Sequence, residues 1–228
     1  MDDQQPPHYA GHRQRLRERF LRSGTEGMHD YEALELMLMH AIPRRDVKPV
    51  AKELLRRFGG FRGVFDATVE ELTSVKGIGP NTAVFIKAVK ECGALYLKDA
   101  ARSVDIVSST GALIEYCTLK MSGMRDEEFR VVFLNASNEV IADEAIHHGT
   151  VDESAVYPRK IIERALANNA TGVIFVHNHP GGAPKPSEHD KVLTAELVRL
   201  AKGMGMRVLD HLIIGRSGHF SFRERGLL

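Results

Sequence analysis

Two histidines, a serine and an aspartate lie close together in one segment of the sequence. His177 and His179 come at the end of the apolar run 173–176, and Ser187 and Asp190 follow after a loop rich in glycine and proline. Residues two apart on an extended chain project to the same side, so the two imidazoles can converge on one point. Two neutral imidazoles and one carboxylate match the three protein ligands of catalytic zinc sites, which leave a fourth position for water. The segment therefore predicts a metal site.

Ser187 and Asp190 also have an ordinary structural interpretation. They match the Ser-x-x-Asp pattern of a capping box at the beginning of a helix. That interpretation explains the serine and the aspartate taken alone. It does not explain two histidines at the end of a buried strand, where unpaired polar groups are costly. Taken together, the four residues favour a metal site.

The sequence around these residues predicts alternating strands and helices. Segments rich in β-branched or aromatic residues predict strands, and apolar residues at helical spacing predict the helices between them. The predicted strands are 129–134, 140–146, 172–176, 206–214 and 220–222, and the predicted helices are 110–119, 158–168 and 187–202. This order predicts a mixed α/β domain over residues 110–228, with helices packed around a sheet.

The first part of the chain predicts a separate all-α domain over residues 9–98. Apolar residues recur there at helical spacing, interrupted by glycines and a proline. Residues 1–8 are polar and contain two prolines, so they predict a disordered tail. The small, polar stretch 99–109 predicts a linker between the two domains.

Residues 69–93 of the helical domain include the sequence LTSVKGIGPNTA, which resembles a helix-hairpin-helix. Gly77 and Gly79 let the chain turn tightly and bring backbone N–H groups close to a phosphate at the beginning of the next helix. Basic residues outnumber acidic ones nearby, so we expect this module to contact DNA through the backbone phosphates. The alternative is an ordinary interhelical turn with solvated arginines around it.

Composition limits the classes of protein that the chain can belong to. Hydrophobic residues make up 43% and charged residues 27%, which is typical of a folded globular protein. The net charge of +1 gives no whole-chain argument for nucleic-acid binding. Two separated cysteines give no disulfide framework, and no apolar run approaches the roughly 20 residues of a membrane span. We therefore expect a soluble, cytoplasmic protein with no membrane partner.

The spacing His177-x-His179, seven residues, Ser187, two residues, Asp190 resembles the motif of JAMM (MPN+) metalloproteases. The surrounding sequences HNHPGG, PSEHD and LDHLIIG resemble more narrowly the bacterial RadC family, and this resemblance extends over essentially the whole chain. It implies a sheet similar to that of cytidine deaminases and a zinc ion held by His177, His179 and Asp190. The zinc-deaminase signature itself is absent, since His179 stands where that signature has glutamate and no cysteine pair follows.

The resemblance also implies an upstream glutamate that activates water at the zinc ion. In the segment RDEEFRVVFLN this residue is Glu127, two positions before the aromatic Phe129. Glu128 would point to the opposite face of the strand and is the second choice, and Glu144 is a third. Ser187 would donate a hydrogen bond to the oxyanion formed during hydrolysis. His211 is expected either to pack near the site or to be a core histidine bonded to Asp210 or to the backbone.

Two functions remain open at this stage. The first is a zinc-dependent metallopeptidase or isopeptidase that hydrolyses a peptide or isopeptide substrate. The second is a non-enzymatic, DNA-binding repair or recombination accessory protein whose metal site is structural or vestigial. The sequence identifies neither the physiological substrate nor the oligomeric state.

Overall fold

A computed structural model describes residues 11–102, 105–106, 110–149 and 157–228 of the chain. The predicted disordered tail, residues 1–8, lies outside the described residues. The chain forms two compact units, Met1–Lys90 and Glu91–Leu228. Each unit has its own hydrophobic core.

The first unit is all-helical. Its helices are α1 (His12–Ser23), α2 (Asp30–Ala41), α3 (Lys48–Phe58), α4 (Phe61–Asp66), α5 (Val69–Thr73) and α6 (Pro80–Arg102). Leu34 and Leu38 of α2 and Leu54 of α3 are fully buried in one core, because apolar residues at helical spacing form a single stripe on each helix. Helix α4, with only six residues, was not predicted from the sequence; it is too short to show a clear helical period.

Helix α6 begins in the first unit and continues into the second. Residues 99–102, which the sequence assigned to a linker, form its last turn. Ala94 and Ala101 of α6 are buried in the core of the second unit, which explains why the helix extends into the polar stretch that suggested a boundary. The rest of the predicted linker is described only at residues 105 and 106.

The second unit contains a sheet with helices on both faces. Its elements are α7 (Thr110–Met121), β1 (Glu128–Leu134), β2 (Val140–His148), α8 (Pro158–Ala167), β3 (Gly172–Asn178), α9 (Glu188–Gly203), β4 (Arg207–Gly215) and β5 (Gly218–Ser221). The expected fold class, a mixed α/β domain preceded by an all-α region, is confirmed. Over the described ranges, the structure contains no helix that is both long and apolar enough to cross a membrane.

The five strands are arranged in the order β2-β1-β3-β4-β5. Strand β3 pairs antiparallel with β1 and parallel with β4, so His177 lies between Phe129 and Ile213. Every residue of β3 is buried, as the uninterrupted apolar run in the sequence predicted for a central strand. Because β3 and β4 are parallel, their carboxyl ends lie at the same edge of the sheet.

The two faces of the sheet have separate cores. Phe133 and Phe175 pack on the face covered by α8 and α9. Val132 and Ile174, their neighbours in the sequence, pack on the opposite face against α7. This alternation follows from the two-residue period of a strand, and it decides which polar residues can reach which side.

A buried ionic network lies on the α7 face around Asp143. The Asp143 carboxylate accepts hydrogen bonds from Lys98, from the Tyr116 hydroxyl at 2.6 Å and from Arg130 at 2.8 Å. Burial alone would raise the pKa of Asp143, but these donors outweigh it and lower the pKa to about 2. Arg130 also bonds Glu128 at 2.6 Å, so the network joins β1, β2, α6 and α7.

Removing the acceptor of this network leaves the Tyr116 hydroxyl and the largely buried Lys98 without the carboxylate that binds them, and Arg130 with Glu128 alone. We expect Asp143→Ala to lower the free energy of unfolding by about 3–5 kcal/mol, as found when one partner of a buried ion pair is lost. The neighbouring Glu144→Ala is the matched control, because Glu144 pairs with the half-exposed Arg164 and its loss should cost less than about 1 kcal/mol. Denaturant unfolding of both variants measures the difference, and equal losses would contradict the role of Asp143.

Candidate metal centre

Strand β3 positions the two histidines predicted to bind metal. His177 is the second-last residue of β3, and His179 follows directly after its end. The His179 N–H still donates to the Ile214 carbonyl at 2.8 Å, so the extended backbone continues to His179. The two side chains consequently project from the same side, on the face covered by α9. His177 is buried, whereas His179 is partly exposed.

Asp190 is positioned by the beginning of α9. The Ser187 hydroxyl accepts a hydrogen bond from the Asp190 N–H at 3.1 Å, and Asp190 Oδ2 accepts from both the N–H and the hydroxyl of Ser187, each at 2.7 Å. This is the complete capping box that the sequence allowed. The cap does not compete with the metal site, because Oδ2 carries the cap while Oδ1 lies 3.3 Å from His177 Nε2.

The structure brings together the three predicted metal ligands. His177 Nε2 lies 3.0 Å from His179 Nε2 and 3.3 Å from Asp190 Oδ1. Ligand atoms at 2.0–2.1 Å from a tetrahedral zinc ion are separated by about 3.3 Å, so these distances fit one shared ion. Among the described residues, these three side chains form a group that could hold a metal ion, and His179 provides its partly exposed side.

The charges of this group also suit a cation. Burial lowers the pKa of His177 to about 4, so its imidazole is neutral near pH 7. Burial works to raise the pKa of Asp190, but the nearby His179 and His177 and the hydrogen bonds from Ser187 hold this pKa below its usual range. The Asp190 carboxylate, whose Oδ2 lies 3.6 Å from His179 Nε2, raises the pKa of His179. An ionised carboxylate beside a neutral imidazole is the donor set that Zn²⁺ prefers in catalytic sites.

Glu127 immediately precedes β1, and Glu128 is the first residue of that strand. The Glu127 carboxylate is close enough to His179 to contribute to the raised pKa of that imidazole. Glu128 is buried on the α7 face of the sheet, where Arg130 and His148 bind its carboxylate. Glu144, the third choice, is bound by Arg164 on α8. Glu127 therefore stays the predicted catalytic glutamate.

Asn178 and Thr194 support the site and were missed by the sequence analysis. Asn178 stands between the two histidines in the sequence, and its side chain points to the opposite face of the sheet. Its amide oxygen accepts from the Glu128 N–H at 2.8 Å, and its amide nitrogen donates to the Asp126 carbonyl at 3.0 Å. It therefore joins β1 to β3 on both sides of Glu127. Thr194, one helical turn after Asp190, contacts His211, which lies directly behind His177. The i,i+4 spacing from Asp190 was the available signal for Thr194.

Family comparisons agree with this geometry. Residues 107–227 match the model of the RadC-like JAB domain, and residues 10–84 match the UPF0758 N-terminal model. The first match alone covers more than half of the chain. The protein belongs to the RadC family. The RadC match includes β1, β3 and the beginning of α9, and therefore includes all the residues of the candidate metal site.

The loop between His179 and Ser187 packs closely against Gly215 at the end of β4. A Cβ atom at Gly215 would lie 2.8 Å from Pro184 Cδ and 2.9 Å from the Gly182 carbonyl oxygen, which is closer than real contacts allow. Pro184 and Gly182 belong to the loop between His179 and Ser187. Only glycine at position 215 therefore lets the loop pack against the end of β4.

We predict that Gly215→Ala displaces this loop and weakens the affinity of the candidate site for an added divalent ion by roughly tenfold or more, as changes around metal ligands typically do. Gly182→Ala is the matched control, since its Cβ would lie 3.7 Å from the nearest atom, His179 Cβ, and would fit. Competition with a chromophoric zinc chelator measures both affinities. If Gly215→Ala bound zinc as tightly as Gly182→Ala, the loop would have no part in holding the ligands.

Proposed function

We propose that this RadC protein is a zinc-dependent hydrolase that cleaves amide or isopeptide bonds. The observation that carries the proposal is the approach of His177 Nε2, His179 Nε2 and an Asp190 oxygen to one point beside a partly exposed surface. Three ligands of this kind leave a coordination position for water, which a purely structural zinc site does not. The match to a JAB domain supports the same assignment.

In this proposal His177, His179 and Asp190 hold the ion. Bound Zn²⁺ would act as a Lewis acid and lower the pKa of a water molecule towards about 7. The remaining roles in the proposed reaction belong to side chains of the protein. Burial keeps His177 neutral, and the cap of α9 holds the Asp190 carboxylate in place as its anionic counterpart.

Glu127 is the proposed general base and acid. It accepts a proton from the attacking water, whose oxygen forms the new bond to the carbonyl carbon. It returns that proton to the nitrogen of the leaving amine as the C–N bond breaks. Ser187 is proposed to donate a hydrogen bond to the oxyanion, which requires its hydroxyl to turn away from Asp190 Oδ2. The residue is exposed, so its hydroxyl has room to turn.

Glu127→Gln tests this role. The amide cannot accept the proton, so we expect hydrolysis to fall by about 10²–10⁴-fold while zinc content stays at the native level. Glu144→Gln is the matched control and should keep its activity, because Arg164 and Asn168 bind that carboxylate. The assay incubates the zinc-loaded protein with a mixed-sequence peptide pool and with lysine-linked isopeptides, and mass spectrometry quantifies cleavage.

The result also separates the enzyme from the accessory protein. Cleavage that is lost on chelation, restored by zinc and abolished by Glu127→Gln supports the hydrolase. Native zinc content without cleavage of any probe, together with a cellular phenotype unchanged by Glu127→Gln, would favour the DNA-binding accessory function with a structural metal.

We further propose that the α5–α6 turn contacts DNA phosphates, which is the second candidate function. Gly77 in this turn has φ 99°, a conformation that glycine adopts most readily. At Gly79 a Cβ would meet no described atom within 4 Å, so the backbone there is open to an approaching group. Lys76 is exposed beside it, and Arg57 donates to the Ser74 carbonyl at 3.4 Å, which adds positive charge to the turn.

Gly79→Ala should leave the fold intact but weaken duplex-DNA binding, because the added methyl group blocks the approach of a phosphate. Lys76→Ala should reduce the slope of log K against log salt concentration by about 1. Gly111→Ala in α7 is a control with equal free space and no role in the turn. Fluorescence anisotropy with labelled duplex DNA measures these changes. Binding that is indifferent to Gly79 and Lys76 would exclude the turn as the contact.

A further inference from the structure

A chain of buried hydrogen bonds leads away from the candidate metal ligands. His177 Nδ1, the ring nitrogen that does not face Asp190, lies 2.8 Å from His211 Nε2. His211 Nδ1 lies 2.6 Å from the Thr194 hydroxyl, which donates to the Asp190 carbonyl oxygen at 2.5 Å. This series of hydrogen bonds thus begins at the side chain of His177 and ends at the backbone carbonyl of Asp190. It joins β3, β4 and α9.

The direction of the protons along this chain is fixed at the carbonyl end. A carbonyl oxygen can only accept, so the single hydroxyl proton of Thr194 is donated to Asp190. The Thr194 oxygen must then accept its second hydrogen bond from His211 Nδ1. It follows that the proton of a neutral His211 ring is on Nδ1 and that its Nε2 is an acceptor.

The surroundings of His211 keep its ring neutral. The side chain is fully buried, and Phe222 stacks on it with ring centroids 4.8 Å apart. Phe129 and Phe175 approach its ring edge-on at 5.7 and 5.9 Å. A charged imidazolium enclosed by three phenylalanines, with another imidazole as its neighbour, would be unpaired and costly to bury. A neutral ring has one donor and one acceptor nitrogen, which is what the chain requires.

The position of His211 is fixed independently by Asp210. Asp210 Oδ1 accepts from the His211 N–H at 2.7 Å and from the Arg223 N–H at 3.0 Å, and its Oδ2 accepts from the Ser221 hydroxyl at 2.5 Å. These bonds join β4 to β5 and to the segment after it. Asp210 therefore fixes the backbone from which the His211 side chain projects.

We propose that His211 and Thr194 are positioning residues that select the tautomer of His177 before a metal ion binds. Because His211 Nε2 accepts, His177 Nδ1 must donate, so His177 Nε2 carries no proton and its lone pair faces Asp190 Oδ1 at 3.3 Å and His179 Nε2 at 3.0 Å. A histidine so arranged binds a cation without first losing a proton or rotating its ring. The tautomers belong to the metal-free chain, and only the effect on zinc affinity rests on the proposed function.

Long-range ¹H–¹⁵N correlation spectra of the full chain labelled with ¹⁵N-histidine test the tautomers directly. Before zinc is added, we expect His177 and His211 each to carry the proton on Nδ1 and to show an unprotonated Nε2. On zinc addition the Nε2 signal of His177 should shift while its Nδ1 proton is retained. A proton on Nε2 of either residue in the metal-free chain would overturn the inference.

Thr194→Val and Thr194→Ser separate positioning from packing. Valine keeps the shape but leaves His211 Nδ1 without an acceptor, so we expect loss of the Nδ1–H pattern and about 10–100-fold weaker zinc binding. Serine keeps the hydroxyl and should restore both. If valine lowered only the unfolding temperature, with tautomers and zinc affinity unchanged, the residue would be structural and the inference wrong.

The two proposals fail in different ways. Zinc that binds tightly to a chain with other tautomers would overturn the positioning role and leave the metal site intact. A chain that has the expected tautomers but binds no zinc at His177, His179 and Asp190 would overturn the proposed hydrolase instead.

Discussion

The candidate site of the second unit depends on holding three atoms that could bind a metal ion within a few ångströms of one another in a largely buried place. His177 Nε2, His179 Nε2 and the Asp190 carboxylate approach to 3.0–3.6 Å. Such groups, removed from water, are costly unless each is paired or shares a cation. Central strand β3, the cap of α9 and the loop packed against Gly215 all act on this one point. A site this constrained is preorganised for its ligand.

The alternation of side chains across the sheet keeps this site apart from the rest of the charged groups. A separate ion-pair network lies on the α7 face, where Arg130 donates hydrogen bonds to the carboxylates of Glu128 and Asp143. Glu127, one residue before Glu128, contributes to the raised pKa of His179 in the candidate site. A structural acid and a candidate catalytic acid thus occupy adjacent positions at the beginning of β1. A shift of one residue in the register of β1 would exchange them.

Local patterns in the sequence were enough to predict the strands, most helices and the fact that His177, His179 and Asp190 could share an ion. Period-2 and period-3.6 patterns are local, and the capping box fixed where α9 begins. The end of α6 was not predictable, because it depends on burial of Ala101 against residues distant in the sequence. The contacts of Asn178 and Thr194 were missed for the same reason: their partners lie 17 or more residues away.

The central claim is that these three side chains bind one divalent ion. Anomalous diffraction at the zinc absorption edge, from crystals of the purified chain grown with Zn²⁺, tests it most directly. The account predicts a single strong peak about 2.0–2.2 Å from His177 Nε2, His179 Nε2 and an Asp190 oxygen, with a further position facing solvent. Zinc bound elsewhere, or no peak between three ordered side chains, would contradict it.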